Sequence, residues 1–208
     1  LALEGPARIG VDGETDDPLA FSARLNWDIM GHMGYEEGAL RQRSCDWTAA
    51  VGVWGHYFMD HRIENTLDND DTNERLTYGV DAAIGWGGFS MTAAYNGATW
   101  DGDVNLSTDS FSYLIQQGYL FPDTAWEIAA RYSAVTVEVG SFDGTLTEIA
   151  GVINYYLNGH SNKLSLDVSM LDESDDDIGF FDAYTGIQPL PGVEDSALLI
   201  RFQWQLAL

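Results

Sequence analysis

Alternation of apolar and polar residues with a period of two is the dominant pattern of this chain. It is clearest in residues 147–171, which read as two strands joined by a tight turn at Asn158 and Gly159. Successive side chains of a strand point to opposite faces, so this alternation gives each strand one apolar and one polar face. Asn followed by Gly favours a hairpin turn because both residues adopt positive φ at little cost. The pattern predicts an antiparallel sheet built from hairpins.

The same alternation recurs along the chain and predicts nine or ten strands. A short strand is predicted at residues 7–11, although Pro6 leaves its start open. The clearer strands are residues 21–29, 47–57, 76–86, 89–95, 111–119, 126–133, 147–157, 164–170 and 197–208.

The connections between these strands are predicted to alternate between short and long. Tight turns follow Trp86, Phe121 and Leu157. Longer polar loops are predicted at residues 58–75, 96–109, 135–145 and 172–196. Transmembrane barrels have short turns at one end and longer loops at the other. The connection at residues 30–45 fits this rule poorly, because it is long and lies on the tight-turn side.

Alternation alone leaves open which face of the sheet is inside. A soluble sandwich or barrel has an apolar interior, whereas a membrane barrel with a channel has a polar one. Tyr155 and Tyr156 at a turn end favour the membrane alternative, because aromatic side chains form girdles at membrane interfaces. No apolar run reaches about 18 residues, so no transmembrane helix is predicted. We therefore expect residues 1–208 to form one domain, a transmembrane antiparallel up-and-down β-barrel.

Charge and cysteine content narrow the classes of function. The chain carries 33 acidic and 9 basic residues, for a net charge of -24. Such a chain repels phosphate backbones, which excludes nucleic acids as partners. The acidic loops either keep the protein solvated or attract cations. Cys45 is the single cysteine, so no intramolecular disulfide forms. The opening residues lack a secretory signal, which fits a processed exported protein, a cytosolic protein or a fragment.

Charged residues on the polar faces are the candidates for lining a pore. Semi-buried charges are usually paired, so we expect each arginine of this set to pair with a neighbouring carboxylate and to neutralise the wall. The candidates are Arg24, Asp28, Asp81, Glu127, Arg131, Glu148, Asp167 and Arg201.

Two other groups of residues give weaker indications, one of a catalytic site and one of a metal site. His56, Asp60 and His61 lie at the loop end of a strand, where a hydrolase could hold a general base and its carboxylate. No serine or cysteine motif lies near them in the sequence, so we predict no catalytic residue and no enzyme. The acidic stretches 68–74 and 173–177 lack the spacing of a calcium loop, so we predict solvated loops, no metal site and no cofactor.

Two ordered motifs resemble stretches of the phosphate-selective porins O and P. The first is YLFP at 119–122 followed by EIAARYS at 127–133, and the second is NYYLNGH at 154–160 followed by KLSLD at 163–167. The resemblance implies part of a 16-stranded porin, usually trimeric, in the bacterial outer membrane. The strands found here resemble its C-terminal portion, or those of a shortened relative. The chain departs from outer-membrane proteins generally by ending on Leu208 instead of an aromatic residue.

The resemblance and the residues together predict a porin that passes small hydrophilic solutes or ions by passive diffusion. Phosphate selectivity does not carry over, because few basic residues lie on the polar faces and carboxylates oppose them. The implied partners are outer-membrane lipid, lipopolysaccharide, the solutes and the two other copies of a homotrimer. The alternative is a closed structural or adhesive outer-membrane barrel whose acidic loops bind divalent cations.

Overall fold

The computed structural model describes ten segments of the chain. They are residues 2–4, 8–9, 15–16, 19–32, 46–63, 70–101, 108–139, 142–159, 161–174 and 196–206. The strands within them are β1 (Ala2–Glu4), β2 (Arg8–Ile9), β3 (Thr15–Asp16), β4 (Leu19–Met30), β5 (Thr48–Ile63), β6 (Asp70–Trp86), β7 (Phe89–Asp101), β8 (Thr108–Leu120), β9 (Trp126–Val139), β10 (Phe142–Asn158), β11 (Asn162–Glu173) and β12 (Ser196–Leu206). In these segments, no helix is long and apolar enough to cross a membrane.

Ten of the strands form one antiparallel sheet in the order β1-β4-β5-β6-β7-β8-β9-β10-β11-β12. From β4 to β12 each strand pairs with the next along the chain, which is an up-and-down arrangement of nine strands. The remaining pair, β2 and β3, forms a separate two-stranded sheet. The all-β antiparallel up-and-down prediction is thereby confirmed. Within the described segments, no pairing joins β12 back to β1 or β4.

Several predicted loops are strand in the structure, so the predicted alternation of loop lengths is wrong. The segment 135–145 was expected to be a loop, but Val135 pairs with Leu146 and Val139 with Phe142, which leaves only residues 140–141 between β9 and β10. This connection is shorter than residues 121–125 on the tight-turn side. Strand likewise covers residues 58–63 and 70–75 of the loop predicted at 58–75, and residues 96–101 and 108–109 of the loop predicted at 96–109. At 58–63, 70–75 and 96–101 backbone pairing continues where the side chains become polar, because the ladder satisfies N–H and C=O groups whatever the side chain. At 135–139 the sequence Val-Thr-Val-Glu-Val itself continues the alternation of a strand.

The two faces of the nine-strand sheet differ in polarity and in exposure. We call the face that carries most of the exposed apolar side chains the outer face, and the opposite face the inner face. On β8 the outer face carries Phe111, Tyr113, Ile115 and Tyr119, all exposed. Every inward residue of this strand is less exposed than its outward neighbours. The inward residues of β8 are Thr108, Ser110, Ser112, Leu114, Gln116, Gly118 and Leu120.

A small apolar cluster lies on the inner face near the tight turns. Leu120 and Tyr156 are 2% and 5% exposed, and Ala125 packs against them. The backbone ties the same place together, because the Leu120 N–H donates to the Gly88 carbonyl at 2.9 Å. Tyr155, which points outward, contacts Trp126 with the ring planes tilted by 48° and the ring centroids 4.6 Å apart. Tyr156, the next residue along the strand, points inward. The expectation that it also belongs to an outer aromatic girdle is therefore wrong.

The turn between β6 and β7 provides a test of this backbone packing. Gly87 and Gly88 both have positive φ, of 55° and 90°. A Cβ on Gly88 would lie 2.6 Å from the Leu120 carbonyl oxygen, whereas one on Gly87 meets nothing within 4 Å. We expect Gly88→Ala to lower the free energy of unfolding by about 1–3 kcal/mol more than Gly87→Ala, because a backbone atom must shift. Urea unfolding followed by tryptophan fluorescence measures the difference, and equal midpoints for the two variants would contradict it.

Candidate functional site

All eight charged residues predicted to line a pore lie on the inner face. Their cross-strand partners fix this placement. Asp81 lies opposite Gly52 and Ala94, Arg131 lies opposite Gln116 and Ala150, and the remaining candidates follow the same parity. A shared face is what the alternation predicted. That these residues line a pore stays a prediction.

One ion pair spans three strands at the β4 side of the sheet. The Arg24 Nη2 of β4 donates to both carboxylate oxygens of Asp81 on β6, each at 2.8 Å, and the Arg24 Nε donates to the Asn26 Oδ1 at 2.8 Å. The guanidinium passes over Gly52 of β5, which lies between the two strands. A Cβ there would lie 2.5 Å from the Arg24 Nη2 and 2.8 Å from the Asp81 Oδ1. Glycine at this position is therefore what lets the pair form.

The remaining candidate of this side is Asp28, which contacts a histidine. The His32 Nδ1 lies 2.7 Å from the Asp28 Oδ2, at the tight-turn end of β4. The His32 side chain is 85% exposed. Ion pairs this exposed contribute little to stability.

A larger network of ion pairs joins four strands at the other side of the sheet. Arg131 of β9 makes two hydrogen bonds to Glu148 of β10, from its Nε at 3.1 Å and from its Nη2 at 2.8 Å. The Arg201 Nη2 of β12 donates to the Asp167 Oδ1 of β11 at 3.1 Å. The two pairs are linked, because Arg201 lies 3.7 Å from Glu148 and Arg131 lies 3.8 Å from Asp167. Ser133 and Ser169 donate to Glu148 and Asp167, respectively. The expectation that each arginine pairs with a carboxylate is confirmed.

The eighth candidate, Glu127, is buried and belongs to a polar group that sequence reasoning missed. Glu127 is 1% exposed, and its two carboxylate oxygens accept hydrogen bonds from the Asn154 Nδ2 at 3.0 Å and the Tyr156 hydroxyl at 3.1 Å. The Ser165 hydroxyl donates to the Asn154 Oδ1 at 2.6 Å, and Lys163 beside them is 8% exposed. The alternation of apolar and polar residues along the sequence already put all of these residues on the polar face, and that was the available signal. The cross-strand register that brings them together could not be read from the sequence.

A cavity of about 580 Å³ opens over this part of the inner face. Its lining includes the buried residues Glu127, Tyr156 and Lys163 and the two arginines Arg131 and Arg201. Amide side chains contribute further hydrogen-bonding groups to the lining; they are Gln116, Asn154 and Gln203. The cavity is suited to small polar molecules, because its lining offers hydrogen-bond donors and acceptors together with side chains of both charge signs.

The inner face is nearly neutral although the whole chain is strongly acidic. Among the strand residues whose side chains the structure describes, six carboxylates and five basic side chains point inward. The carboxylates are Asp28, Asp81, Glu127, Glu148, Asp167 and Glu173, and the basic residues are Arg24, Arg75, Arg131, Lys163 and Arg201. The excess negative charge of the chain therefore lies away from the described inner wall.

His56 pairs with a serine that its sequence neighbourhood does not contain. The Ser22 Oγ of β4 lies 2.6 Å from the His56 Nδ1 of β5, because the two residues are directly opposite in register. The side chains of Asp60 and His61 lie outside the described residues. Among the described interactions no carboxylate contacts His56, and the neighbouring backbone N–H groups belong to strand ladders instead of an oxyanion hole. The absence of enzymatic activity stays a prediction.

Cys45 and the acidic stretch 175–177 also lie outside the described residues. Among the residues that are described, no group of three or more histidine, cysteine or acidic side chains is arranged to hold a metal ion.

No protein-family model matches the chain, and no curated protein matches it either. The resemblance to the phosphate-selective porins therefore rests on its two sequence motifs alone.

Because the Arg24–Asp81 ion pair passes over Gly52, a substitution at Gly52 tests that pair directly. We expect Gly52→Ala to separate Arg24 from Asp81 and to lower the free energy of unfolding by about 1–2 kcal/mol, as is usual for a charged hydrogen bond that is partly exposed. Gly151→Ala is the matched control, because a Cβ there meets nothing within 4 Å. Alanine in a strand interior is otherwise favoured over glycine, so the control should be neutral or slightly stabilised. Urea unfolding of both variants makes the comparison, and a neutral Gly52→Ala would contradict the account.

Proposed function

We propose that this chain forms part or all of an outer-membrane porin-like β-barrel that passes small hydrophilic solutes or ions by passive diffusion. The observation that carries the proposal is the reversed polarity of the sheet. Large apolar side chains such as Leu25, Ile149 and Phe202 are 74%, 62% and 71% exposed on the outer face, while Glu127 and Ser169 are 1% and 0% exposed on the inner face. A monomeric soluble protein rarely exposes a contiguous apolar surface of this kind. Lipid is the environment in which that surface is stable.

Two rows of aromatic side chains on the outer face support a membrane boundary at each end. The first row lies near the tight turns and includes the stacked pair Trp47 and Trp86, with ring centroids 5.4 Å apart. The second row consists of tyrosines nearer the long-loop end: Tyr78, Tyr95, Tyr113 and Tyr132. On β9 the rows are represented by Trp126 and Tyr132, six residues apart, which corresponds to about 20 Å of strand. Aromatic girdles that flank an apolar band are typical of membrane barrels.

The outer face becomes acidic beyond the tyrosine row. Asp109 of β8 pairs with Glu138 of β9, which pairs with Asp143 of β10. Glu74 and Asp172 occupy the same end of β6 and β11. Charges of this kind belong in water or among head groups, which supports an apolar band that ends below them.

The polar inner face supports diffusion without strong selectivity. Four of the described arginines point inward, and three of them, Arg24, Arg131 and Arg201, are each held by at least one carboxylate within 3.1 Å. A paired arginine presents little net charge to a passing anion, so the arrangement argues against selective phosphate transport. The near-neutral wall suits small hydrophilic solutes and ions of either sign, with the cation preference set by the acidic ends. Assembly as a homotrimer and contact with lipopolysaccharide are proposed from the resemblance alone.

A closed structural or adhesive barrel is the second candidate, and one observation favours it. Leu120, Tyr156 and Glu127 fill the inner side of the sheet near the tight turns, and all three are at most 5% exposed. Small barrels of about eight strands are filled by their own side chains. The two candidates differ in whether an open path for solutes remains beside this cluster.

Single-channel conductance in a planar bilayer tests the proposal. The protein is extracted from native membranes, so that any further strands of the natural assembly are present, and the reversal potential is measured across a salt gradient. We expect stable conductance steps and a reversal potential that indicates at most a weak cation preference. Folded protein that gives no conductance would contradict the porin and favour the closed barrel. A strong anion preference would contradict the neutral wall.

The assignment of the outer face to lipid has its own test. Ile115 lies on the outer face of β8 between the two aromatic rows, and Thr92 lies on the inner face of the neighbouring β7. We expect Ile115→Arg to lower the free energy of unfolding in lipid vesicles by about 2–4 kcal/mol, because a charged side chain would enter the bilayer. Thr92→Arg is the matched control and should change it by less than about 1 kcal/mol, because it faces water. Equal effects of the two substitutions would contradict the assignment.

A further inference from the structure

One arginine of the inner face has no carboxylate partner. Arg75 of β6 is exposed, and in the described part of the chain no hydrogen bond or ion pair holds its guanidinium, unlike those of the three other inward arginines. The adjacent Glu74 points to the outer face. Arg75 therefore presents a full positive charge and a planar set of N–H donors to the solution on the inner side of the sheet.

Aromatic side chains flank Arg75 on both neighbouring strands. Phe58 of β5 and Trp100 of β7 lie directly opposite Arg75 in register. Residues that are directly opposite on one face have Cβ atoms about 5 Å apart, so the three side chains form one row. Trp100 is 52% exposed. Exposed aromatic surface beside a single charged group is typical of a site that binds a small molecule.

The row borders a recess on the inner face. Two residues nearer the tight turns, the positions opposite each other on β6 and β7 are Thr77 and Ala98, whose side chains are short. Two residues further, a Cβ on Gly79 would lie 2.5 Å from the Trp54 Nε1, so the Trp54 indole lies across β6 at that glycine. About 14 Å of strand separates Gly79 from Arg75. We call the space between them the aromatic recess; its bounding side chains are Trp54, Phe58, Arg75 and Trp100.

No carboxylate among the described side chains competes for the Arg75 guanidinium. Asp81 is the nearest inward carboxylate described on β6, about 20 Å along the strand, and both of its oxygens accept hydrogen bonds from Arg24. The row that contains Arg75 continues to Ala20 on β4 and to Thr108 on β8, neither of which is charged. Arg75 is therefore available to an anion that enters from solution.

We propose that the aromatic recess binds small aromatic monocarboxylates. The inference rests on the proposed function, because it needs an inner face that water reaches. The Arg75 guanidinium donates to both carboxylate oxygens of the solute, which is the bidentate geometry that suits its planar fork. The flat ring of the solute lies over the short side chains of the recess, where Trp100 and Trp54 offer offset or edge contacts. One unpaired positive charge matches a single negative charge, whereas the second charge of a phosphate would find no partner.

Calorimetric titration of the full chain, folded in detergent micelles, with benzoate tests the proposal. We expect saturable binding to one site per chain. Acetate lacks the ring, benzyl alcohol lacks the charge and inorganic phosphate lacks the ring and carries more charge, so each should bind more weakly than benzoate. Arg75→Gln should lower the affinity for benzoate by about 10-fold or more, because the charged hydrogen bonds are lost. Thr92→Gln is the matched control, since Thr92 lies on the inner face about 27 Å of strand from Trp100, and should leave the affinity unchanged.

A second variant separates the contribution of the ring from that of the charge. Trp100→Leu retains Arg75, so we expect the affinity for benzoate to fall toward that for acetate while the affinity for acetate stays the same. Urea unfolding of each variant identifies any loss of binding that is due to misfolding, and the comparison of the four solutes on the unmodified chain does not depend on a variant.

Three results would overturn the proposal. They are equal benzoate affinities of Arg75→Gln and Thr92→Gln, tighter binding of phosphate than of benzoate, and equal binding of acetate and benzoate. Conductance does not enter these measurements. A closed barrel that binds benzoate would lose the porin function and retain the site, whereas an open pore that fails to bind benzoate would lose only the site.

Discussion

The structure depends on keeping its backbone hydrogen bonds within the sheet while its side chains divide between two environments. From β4 to β12 the strands pair residue by residue, with irregularities at Asp28 and Tyr156. This ladder satisfies the polar backbone without help from water. An apolar outer surface is then compatible with lipid, because no polar backbone group has to reach it. The polar residues lie on the other face because they occupy alternate positions along each strand.

The inner face holds its charges by pairing them across strands. Arg24 reaches Asp81 because Gly52 leaves the space between them empty, and Arg131 and Arg201 share two carboxylates. Charges that leave bulk water are costly unless they are paired and hydrogen-bonded. In the proposed porin, the same pairing that makes the wall compatible with the fold would also make it a weak filter for ions. Stability and the proposed lack of selectivity thus have one physical cause.

The sequence predicted the features that depend on which face of a strand a residue occupies. It missed the features that depend on cross-strand register or on how far backbone pairing continues. Arg131 and Glu148 could be placed on one polar face because each alternates with apolar neighbours. Arg24 and Asp81 are 57 positions apart, so their contact required the pairing of three strands. The segment 135–145 was expected to be a loop, but the alternation Val-Thr-Val-Glu-Val at 135–139 continues the strand and the ladder runs through it. Tyr156 was expected in an outer girdle from its residue type, whereas its parity directs it inward to Glu127.

The central claim is that the outer face contacts lipid and the inner face contacts water. Nitroxide labels placed one at a time at residues 111–118 of β8, in a Cys45→Ser background and in lipid bilayers, test it most directly. Collision rates with molecular oxygen report apolar surroundings, and those with a water-soluble nickel complex report aqueous ones. The account predicts a period of two, with oxygen maxima at odd positions and nickel maxima at even positions. Maxima at the opposite positions, or no alternation, would contradict it.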